Sequence, residues 1–206
     1  MTMRPSRLFP LLLIALALAA EEKPALPATA PSGEDTGMVH IDSFAIDIYE
    51  YPNREGTLPL VDVTWSQAQE LCRAQGKRLC TESEWERACR GPEAYLYSYG
   101  DVFEPGRCNT PYQEGDRWQR QDLAPSGRFE QCSNSYGVSD MIGNVWEWTD
   151  GWYDRAQGWR IVRGGSWFHN VNLARADSRY GRYLDADFHL DLIGFRCCQS
   201  RPLPQQ

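Results

Sequence analysis

The sequence predicts one α+β domain in which short strands and two helices are joined by long irregular segments. Three observations predict this class. The chain has two capping-box patterns, several short stretches rich in β-branched and aromatic residues, and a segment from 91 to 139 that is rich in turn residues and lacks periodicity. Compact domains seldom contain so much irregular chain, so disulfides or bound metal are needed to order it.

The strands are predicted from composition and partial alternation. Residues 38–51 alternate in part between apolar and polar types and indicate one or two strands, followed by a turn at 52–56. A short extended piece is expected at 61–63. Two further strands are predicted at 160–163 and 193–198, where short apolar runs lie between turn residues.

The helices are predicted from their start and stop signals. Thr64 with Gln67, and Thr81 with Glu84, each have the capping-box spacing, in which the threonine caps the helix and the later side chain reaches back. Each helix is predicted to end at the next glycine along the chain.

The first 20 residues have the pattern of an export signal. Arg4 and Arg7 precede an apolar run that is too short to span a membrane, and Ala17 and Ala19 provide an A-x-A cleavage pattern. We therefore predict a secreted or periplasmic protein with residues 1–20 removed and no membrane association afterwards.

The rest of the chain is predicted to be a disordered linker at 21–36 and one domain at 37–203. The linker is rich in proline, alanine and glutamate and has no periodicity. The whole chain has 21 Lys and Arg against 28 Asp and Glu, a net charge of −7. So acidic a protein is an improbable partner for nucleic acid.

Seven cysteines in an exported protein predict disulfides, and the odd number leaves at least one thiol without a partner in the chain. Cys197 and Cys198 are adjacent, so on a strand they point to opposite faces and are expected to have different partners. A metal cluster is the alternative interpretation, disfavoured by the export signal and by the absence of a C-x-x-C pair in the sequence.

Four motifs identify a resemblance. In chain order they are GKRLCTESEWERACRG (76–91), YGVSDMIGNVWEWT (136–149), RGGSW (163–167) and GFRC (194–197). Together they resemble the formylglycine-generating enzyme, or sulfatase-modifying factor, superfamily, over nearly all of the domain. The resemblance implies a fold related to C-type lectins, low in regular secondary structure and stabilised by disulfides and calcium. Members of this family are oxidases in some cases and binding modules in others.

The resemblance implies a calcium site in the second motif. The ligands carried over are the side chains of Asp140 and Glu147 and the carbonyls of Gly143 and Val145, since calcium takes several oxygen ligands, some of them from the backbone. The alternative is that Glu147 and Asn144 only satisfy backbone groups of a tight turn.

A second calcium site is implied more loosely. Its ligands would be Asn109, Thr110, Asp116 and Trp118. The alternative, that Asp116 is a solvated loop carboxylate, is at least as strong.

The resemblance also locates the oxidase chemistry. The oxidase converts a cysteine of an unfolded sulfatase segment to formylglycine with copper(I) held by two cysteines, and these positions are His169 and Ala174 here. Copper(I) prefers thiolates, so neither copper binding nor formylglycine formation is expected. Ser166 and Trp146 match other residues of the family's pocket.

The family's iron-dependent branch uses three histidines. The three present here, His40, His169 and His189, lack ligand spacing and are expected to be ordinary surface or hydrogen-bonded side chains.

The resemblance implies one disulfide, between Cys72 and Cys197. Cys89 also matches a disulfide cysteine, but its partner position is occupied by Arg179. The pairing within the remaining group is left open, and that group is Cys80, Cys89, Cys108, Cys132 and Cys198.

Two functions follow. The first is a calcium-stabilised accessory module that binds an unidentified protein or small molecule through residues 167–193, which are rich in tyrosine, phenylalanine and arginine. The second is an enzyme with other chemistry in the same pocket, with Ser166, His169, Trp146 and Glu147 as candidates. A His–carboxylate pair with a shifted histidine pKa would favour the enzyme.

Overall fold

A computed structural model of the protein describes residues 37–169 and 171–200. The predicted signal peptide (1–20), the predicted linker (21–36) and the end of the predicted domain (201–203) lie outside these residues. The described elements are, in chain order, β1 (Met38–Ile41), β2 (Phe44–Asp47), α1 (Trp65–Ala74), β3 (Arg78–Leu79), α2 (Glu82–Arg90), β4 (Tyr112–Glu114), β5 (Arg117–Gln119), β6 (Trp146–Asp154), β7 (Trp159–Arg163), a short 3₁₀ turn (Val171–Leu173), β8 (Ile193–Phe195) and β9 (Cys197–Ser200).

The strands form two small sheets and one hairpin. The first sheet is antiparallel with the order β1-β2-β9-β3, so the last strand lies between strands from the start of the domain. The second has the order β7-β6-β8, in which β6 pairs antiparallel with β7 and parallel with β8. Strands β4 and β5 form a hairpin. The fold is α+β with long irregular connections, as predicted.

Both predicted capping boxes are present. Thr64 accepts from the backbone N–H of Gln67 while the Gln67 side chain accepts from the Thr64 N–H, and Thr81 and Glu84 repeat the arrangement. These reciprocal bonds satisfy N–H groups that a helix start leaves without partners.

The segment predicted to be irregular is mostly so. The structure adds the β4–β5 hairpin, and it makes residues 146–154 a strand that was not predicted. A disulfide between Cys108 and Cys132 closes part of this segment, which supplies one of the two expected sources of order.

Two disulfides join β9 to α1 and to the residue directly after β3. Cys72–Cys197 is confirmed, and Cys80 pairs with Cys198. The two neighbouring cysteines of β9 therefore have different partners, as predicted from strand geometry. Cys89 is a buried free thiol whose pKa is raised by burial.

Two apolar clusters lie on either side of these bridges. One packs the inner face of α2 around Trp85 against Ile41, Met141 and Ile142. The other packs α1 against Trp148 of β6 and the end of the chain. In the described part of the chain no helix has the length and apolar character that a membrane crossing requires.

Candidate functional site

The turn before β6 has a backbone that only certain residues can adopt. Asp140, Gly143 and Asn144 all have positive φ, at 58°, 79° and 55°. A Cβ on Gly143 would lie 2.3 Å from the carbonyl oxygen of Asn109, so only glycine fits there. The Asn144 N–H donates to that same carbonyl at 2.9 Å, which fixes the turn against the irregular segment.

The carboxylate of Glu147 is buried in an ion pair. Arg196 donates to both of its oxygens at 2.8 Å from Nε and Nη2, and the indole N–H of Trp85 donates at 2.7 Å. Both Glu147 and Arg196 are 0% exposed. Glu147 thus has a larger role than satisfying turn backbone, because it joins α2, β6 and the chain end.

Two more buried carboxylates accompany this pair. Glu50 accepts from Asn144 Nδ2 at 2.8 Å and from Ser126 Oγ at 2.7 Å, and Asp140 accepts from the Gly127 N–H at 2.7 Å. Burial, followed by the charge of Asp140, raises the pKa of Glu50 to about 8. Burial likewise raises the pKa of Asp140 to about 6. Glu50 was not predicted as a site residue.

The charges of this cluster can accommodate a cation. Asp140, Glu147 and Glu50 together face a single buried guanidinium, that of Arg196. Oε2 of Glu147 accepts from both Arg196 and Trp85, whereas Oε1 accepts from Arg196 alone and keeps a further lone pair. The predicted ligands are buried and lie in the turn before β6 or at the start of β6; they are Asp140, Gly143, Val145 and Glu147. Among the described residues, no group of three His, Cys, Asp or Glu side chains has a metal-binding arrangement.

We expect the calcium-free protein to lose stability as the pH rises from about 4 to about 8, from the unfolded to the folded pKa values of Asp140 and Glu50. The pKa values of Asp140 and Glu50 are raised in the folded state, so the folded state binds protons that the unfolded state has released. This contribution to stability is present at low pH and is lost as the pH passes the folded pKa values. Chemical denaturation in a chelating buffer at a series of pH values measures it, and a stability that rises across this window would contradict the assignment.

The residues of the second predicted calcium set differ in exposure. Asn109 and Thr110 are buried, at 2% and 5% exposed, whereas Trp118 is 59% exposed on the hairpin that also carries the exposed Asp116. The chain at Asp122 lies next to Asn109 instead, because the Asp122 carbonyl accepts from Asn109 Nδ2 at 3.0 Å.

Asn109 Oδ1 and Thr110 Oγ1 are buried without hydrogen-bond partners. They are the two polar atoms of this region that could bind an added group. The second predicted set, with Asp116 and Trp118 among its members, stays a prediction.

Ser166, His169 and Trp146 do come together. His169 Nδ1 lies 2.8 Å from Ser166 Oγ and accepts from the Trp146 indole N–H at 3.0 Å. Since an indole N–H only donates, Nδ1 is the acceptor and the ring proton belongs on Nε2. Burial lowers the pKa of His169, which keeps the imidazole neutral.

We expect the His169 imidazole to titrate below its ordinary pKa of 6.5. Protonating Nδ1 would turn the acceptor of the Trp146 N–H into a donor, so the Trp146 indole resonance should shift over the same pH range. Two-dimensional NMR of the imidazole and indole groups measures both. A midpoint at or above 6.5 would show that the imidazole is not held in this way.

Ala174 occupies the position of the family's second thiolate. It is 0% exposed and packs against Gly165, where a Cβ would lie 2.9 Å from the Ala174 Cα and Cβ. Among the described residues, the two groups that hydrogen-bond to His169 are the Trp146 indole and the Ser166 hydroxyl, and neither is a carboxylate or a thiol. His189 does pair with Asp62 at 2.8 Å, but both side chains are more than half exposed and lie elsewhere.

The segment 167–193 presents large apolar side chains to solvent. Phe168, Tyr180 and Tyr183 are 48%, 41% and 63% exposed, and Leu190 is 40% exposed. Tyr180 lies beside Trp146, with ring centroids 6.0 Å apart. We call the surface of Phe168, Tyr180 and Tyr183 the aromatic face.

The arginines of the segment are divided between two roles. Arg175 pairs with Asp177, and Arg179 pairs with Glu82. Arg182 lies over the Tyr183 ring at 5.1 Å and forms no ion pair with the described residues. Two of these three arginines are therefore neutralised by carboxylates, while the aromatic side chains remain exposed.

The fold and the turn before β6 define a lectin-like domain of the sulfatase-modifying type. Residues 45–201 match the family model described as a sulfatase-modifying factor enzyme 1-like domain, and the chain belongs to this family.

The similar curated proteins include inactive members of the family. The chain is 37% identical over 161 residues to the inactive C-alpha-formylglycine-generating enzyme 2 of Mus musculus, which covers 72% of this chain and 51% of that protein. It is 32% identical over 185 residues to the formylglycine-generating enzyme of Streptomyces coelicolor, covering 76% of this chain and 56% of that enzyme. The chain thus spans about half the length of the curated relatives it matches.

Solved structures with low sequence identity share the fold. PvdO from Pseudomonas aeruginosa has a TM-score of 0.60 at 21% identity, covering 76% of this chain and 80% of that one. Treponema denticola variable protein 1 has a TM-score of 0.61 at 16% identity, covering 80% and 91%. These similarities confirm the predicted lectin-like architecture.

Proposed function

We propose that the protein is an exported, noncatalytic accessory module that binds a partner through the aromatic face. The observation that carries the proposal is the state of the oxidase positions. Where the family resemblance places two thiolates, His169 is bonded to Ser166 and Trp146, and Ala174 is buried against Gly165. Copper(I) therefore has no thiolate pair to bind there.

The similarity to inactive relatives supports the loss of oxidase chemistry. The chemistry of the pocket supports it independently, because Ser166 is 0% exposed and the neutral imidazole has no carboxylate partner among the described residues. Such a pair would have favoured the alternative of a different enzyme in this pocket.

Calcium is part of the proposal as a structural ion. It would be held by the side chains of Asp140 and Glu147 with the carbonyls of Gly143 and Val145, and it would offset the buried negative charge described above. The ion would fix the turn that contains Asn144 and leads into β6. It would thereby also fix Trp146, the residue of β6 that lies beside Tyr180 of the aromatic face.

Export is supported by the three disulfides, which persist in oxidising compartments. The aromatic face supports partner binding because exposed tyrosine and phenylalanine side chains supply contact area at low conformational cost.

Site-specific photo-crosslinking tests the binding surface. A benzophenone amino acid is placed at Phe168 or Tyr180, with Val102, which is 73% exposed, as the matched control. With an extract of the exported fraction of the native cell, we expect one discrete adduct of the same mass from both face positions and none from Val102. Adducts that are equally frequent at Val102, or none at either face position, would overturn the proposal.

A peptide assay tests the noncatalytic half of the proposal. A cysteine-containing peptide copied from a sulfatase is incubated with the protein, copper(I), a thiol and oxygen, and its mass is followed. We expect an unchanged cysteine, and conversion to formylglycine would show that the chain is an oxidase.

A further inference from the structure

The guanidinium of Arg160 lies between two tryptophan rings. It is 3.5 Å from the ring centroid of Trp65 at the start of α1 and 3.5 Å from that of Trp152 in β6. In the β6–β7 ladder, Trp152 pairs with Arg160, and there is a register shift on either side of this pair. The two shifts place Trp152 opposite Arg160. The Trp65 indole is fixed by donating to the Thr149 carbonyl at 3.0 Å.

This guanidinium has no anionic partner in the described part of the chain. Its Nε is buried without an acceptor, and neither Nη atom makes a hydrogen bond there. The other arginine of β7, Arg163, is bonded to Glu82 and Glu86, and the buried Arg196 is bonded to Glu147. A partly buried arginine with free donors is thus an exception in this protein.

A second arginine shares the same indole. Arg155, in the β6–β7 turn, lies 5.5 Å from the centroid of Trp152, is exposed, and makes no ion pair with the described residues. The charged groups that act on Arg160 are Asp150, which favours its cationic form, and Arg155, which opposes it, while burial lowers the pKa of Arg160 most. An anion bound near Trp152 would offset the repulsion between Arg155 and Arg160, and it would accept hydrogen bonds from the unpaired donors of Arg160.

The geometry points to a binding site for a carboxylate at the edge of Arg160, with Arg155 as a second cation. The two indoles cover the flat faces of the guanidinium, so only its edge can accept a ligand. That edge carries parallel N–H donors, which match the two oxygens of a carboxylate. The single negative charge of one carboxylate group suits the site better than the double charge of one phosphate group, because Asp150 lies near and the chain carries −7 overall.

The site is separate from the aromatic face and does not depend on the proposed partner. It uses side chains of α1, β6 and β7. It contacts segment 167–193 at the Arg160 N–H, which donates to the Leu184 carbonyl at 2.6 Å, and at Trp65, which shares an apolar cluster with Leu184. The carboxylate could belong to a small acid or to an acidic segment of a protein, since both offer the same group.

NMR of the tryptophan indole N–H groups tests the site. Succinate is titrated into the purified protein at constant ionic strength, and sodium phosphate serves as the tetrahedral comparison. We expect saturable shifts of the Trp65 and Trp152 resonances with succinate in the millimolar range, and weaker binding of phosphate. An absence of saturation, or phosphate binding as tightly as succinate, would overturn the proposal.

Variants identify the groups responsible. Arg160→Lys keeps the charge but loses the paired donors, and we expect succinate binding to weaken about tenfold or more. Arg155→Gln should weaken it several-fold. Arg182→Gln, which removes an arginine over Tyr183, is the matched control and should leave it unchanged.

Thermal melting shows whether each variant is folded. If Arg160→Lys fails to fold, Arg155→Gln decides the question, because Arg155 is exposed and not part of the packed core. Equal succinate affinity in Arg155→Gln, Arg182→Gln and the unchanged protein would then contradict the site.

A hexaglutamate peptide distinguishes the two sources of the carboxylate. Binding about tenfold tighter than succinate that is lost in Arg160→Lys would indicate an acidic protein segment. Equal affinity of the two would indicate a small carboxylic acid.

Discussion

Replacing Arg196 by methionine should lower the free energy of unfolding by about 3–5 kcal/mol, the largest loss expected from one substitution. The change leaves Glu147 buried with only the Trp85 N–H as a donor, and it leaves Glu50 and Asp140 without their nearest cation. It also removes donors to three backbone carbonyls, those of Asp47, Ile48 and Ser139.

Arg163→Met is the matched control for this prediction. Arg163 is also 0% exposed, but its partners Glu82 and Glu86 are 24% and 34% exposed in their side chains and can return to water. We expect a loss of about 1–2 kcal/mol, because no carboxylate is left buried without a partner.

Urea denaturation of both variants measures the difference. The Arg196→Met loss should shrink at low pH, where the buried carboxylates become neutral. A loss below about 1 kcal/mol, or one equal to that of Arg163→Met, would show that the buried cluster is not held by Arg196.

The second large effect concerns the two bridges of β9. Cys72–Cys197 and Cys80–Cys198 are separated by 125 and 118 residues in sequence, and their loops overlap, because Cys80 lies inside the first loop and Cys198 just outside it. While one remains, removing the other frees only a loop of about ten residues, worth about 2.7 kcal/mol by chain entropy. Removing both also frees the long loop, so the combined loss should be about 7 kcal/mol, more than the sum of the single losses.

Alanine pairs at each bridge test this non-additivity by guanidinium denaturation. The control is Cys108→Ala with Cys132→Ala, whose bridge spans 24 residues and encloses neither of the others. It should cost about 3 kcal/mol, and its effect should add to that of either β9 bridge. Strict additivity between the two β9 bridges would contradict the overlapping-loop explanation.

The parts of the fold that depend on local chemistry could be predicted from the sequence. The capping boxes at Thr64 and Thr81 fix two helix starts through bonds within four residues, and strand alternation alone sends Cys197 and Cys198 to opposite faces. The family motifs supplied the Cys72–Cys197 bridge and the lectin-like architecture.

The rest depends on contacts between distant parts of the chain. Cys80 pairs with Cys198 across 118 residues, and a list of cysteines does not determine such a pairing. Glu50 ends buried beside Asn144 and Ser126, both far along the chain, and a glutamate in an alternating segment is ordinarily at the surface. The strand at 146–154 was not predicted, and its first two residues were interpreted as part of an ion-binding turn.

The candidate site was predicted only in part, because some of it also depends on contacts between distant parts of the chain. The resemblance brought Ser166, His169 and Trp146 to one place, and the structure confirms that they are bonded to one another. The sandwich around Arg160 was not predicted, because it requires α1 and β6 to meet at this residue and leaves no motif in the sequence.

Metal analysis of the purified protein tests the central claim, that the domain keeps the family fold and its structural ion while lacking the oxidase metal. Plasma mass spectrometry is performed after incubation with calcium and copper(I) and removal of the excess, with melting followed before and after chelation. We predict one or two bound calcium ions, no copper, and a lower melting temperature after chelation. One tightly bound copper per chain would contradict the account of His169 and Ala174, and a protein without calcium whose melting is unchanged by chelation would remove the ion from the turn of Asp140 and Glu147.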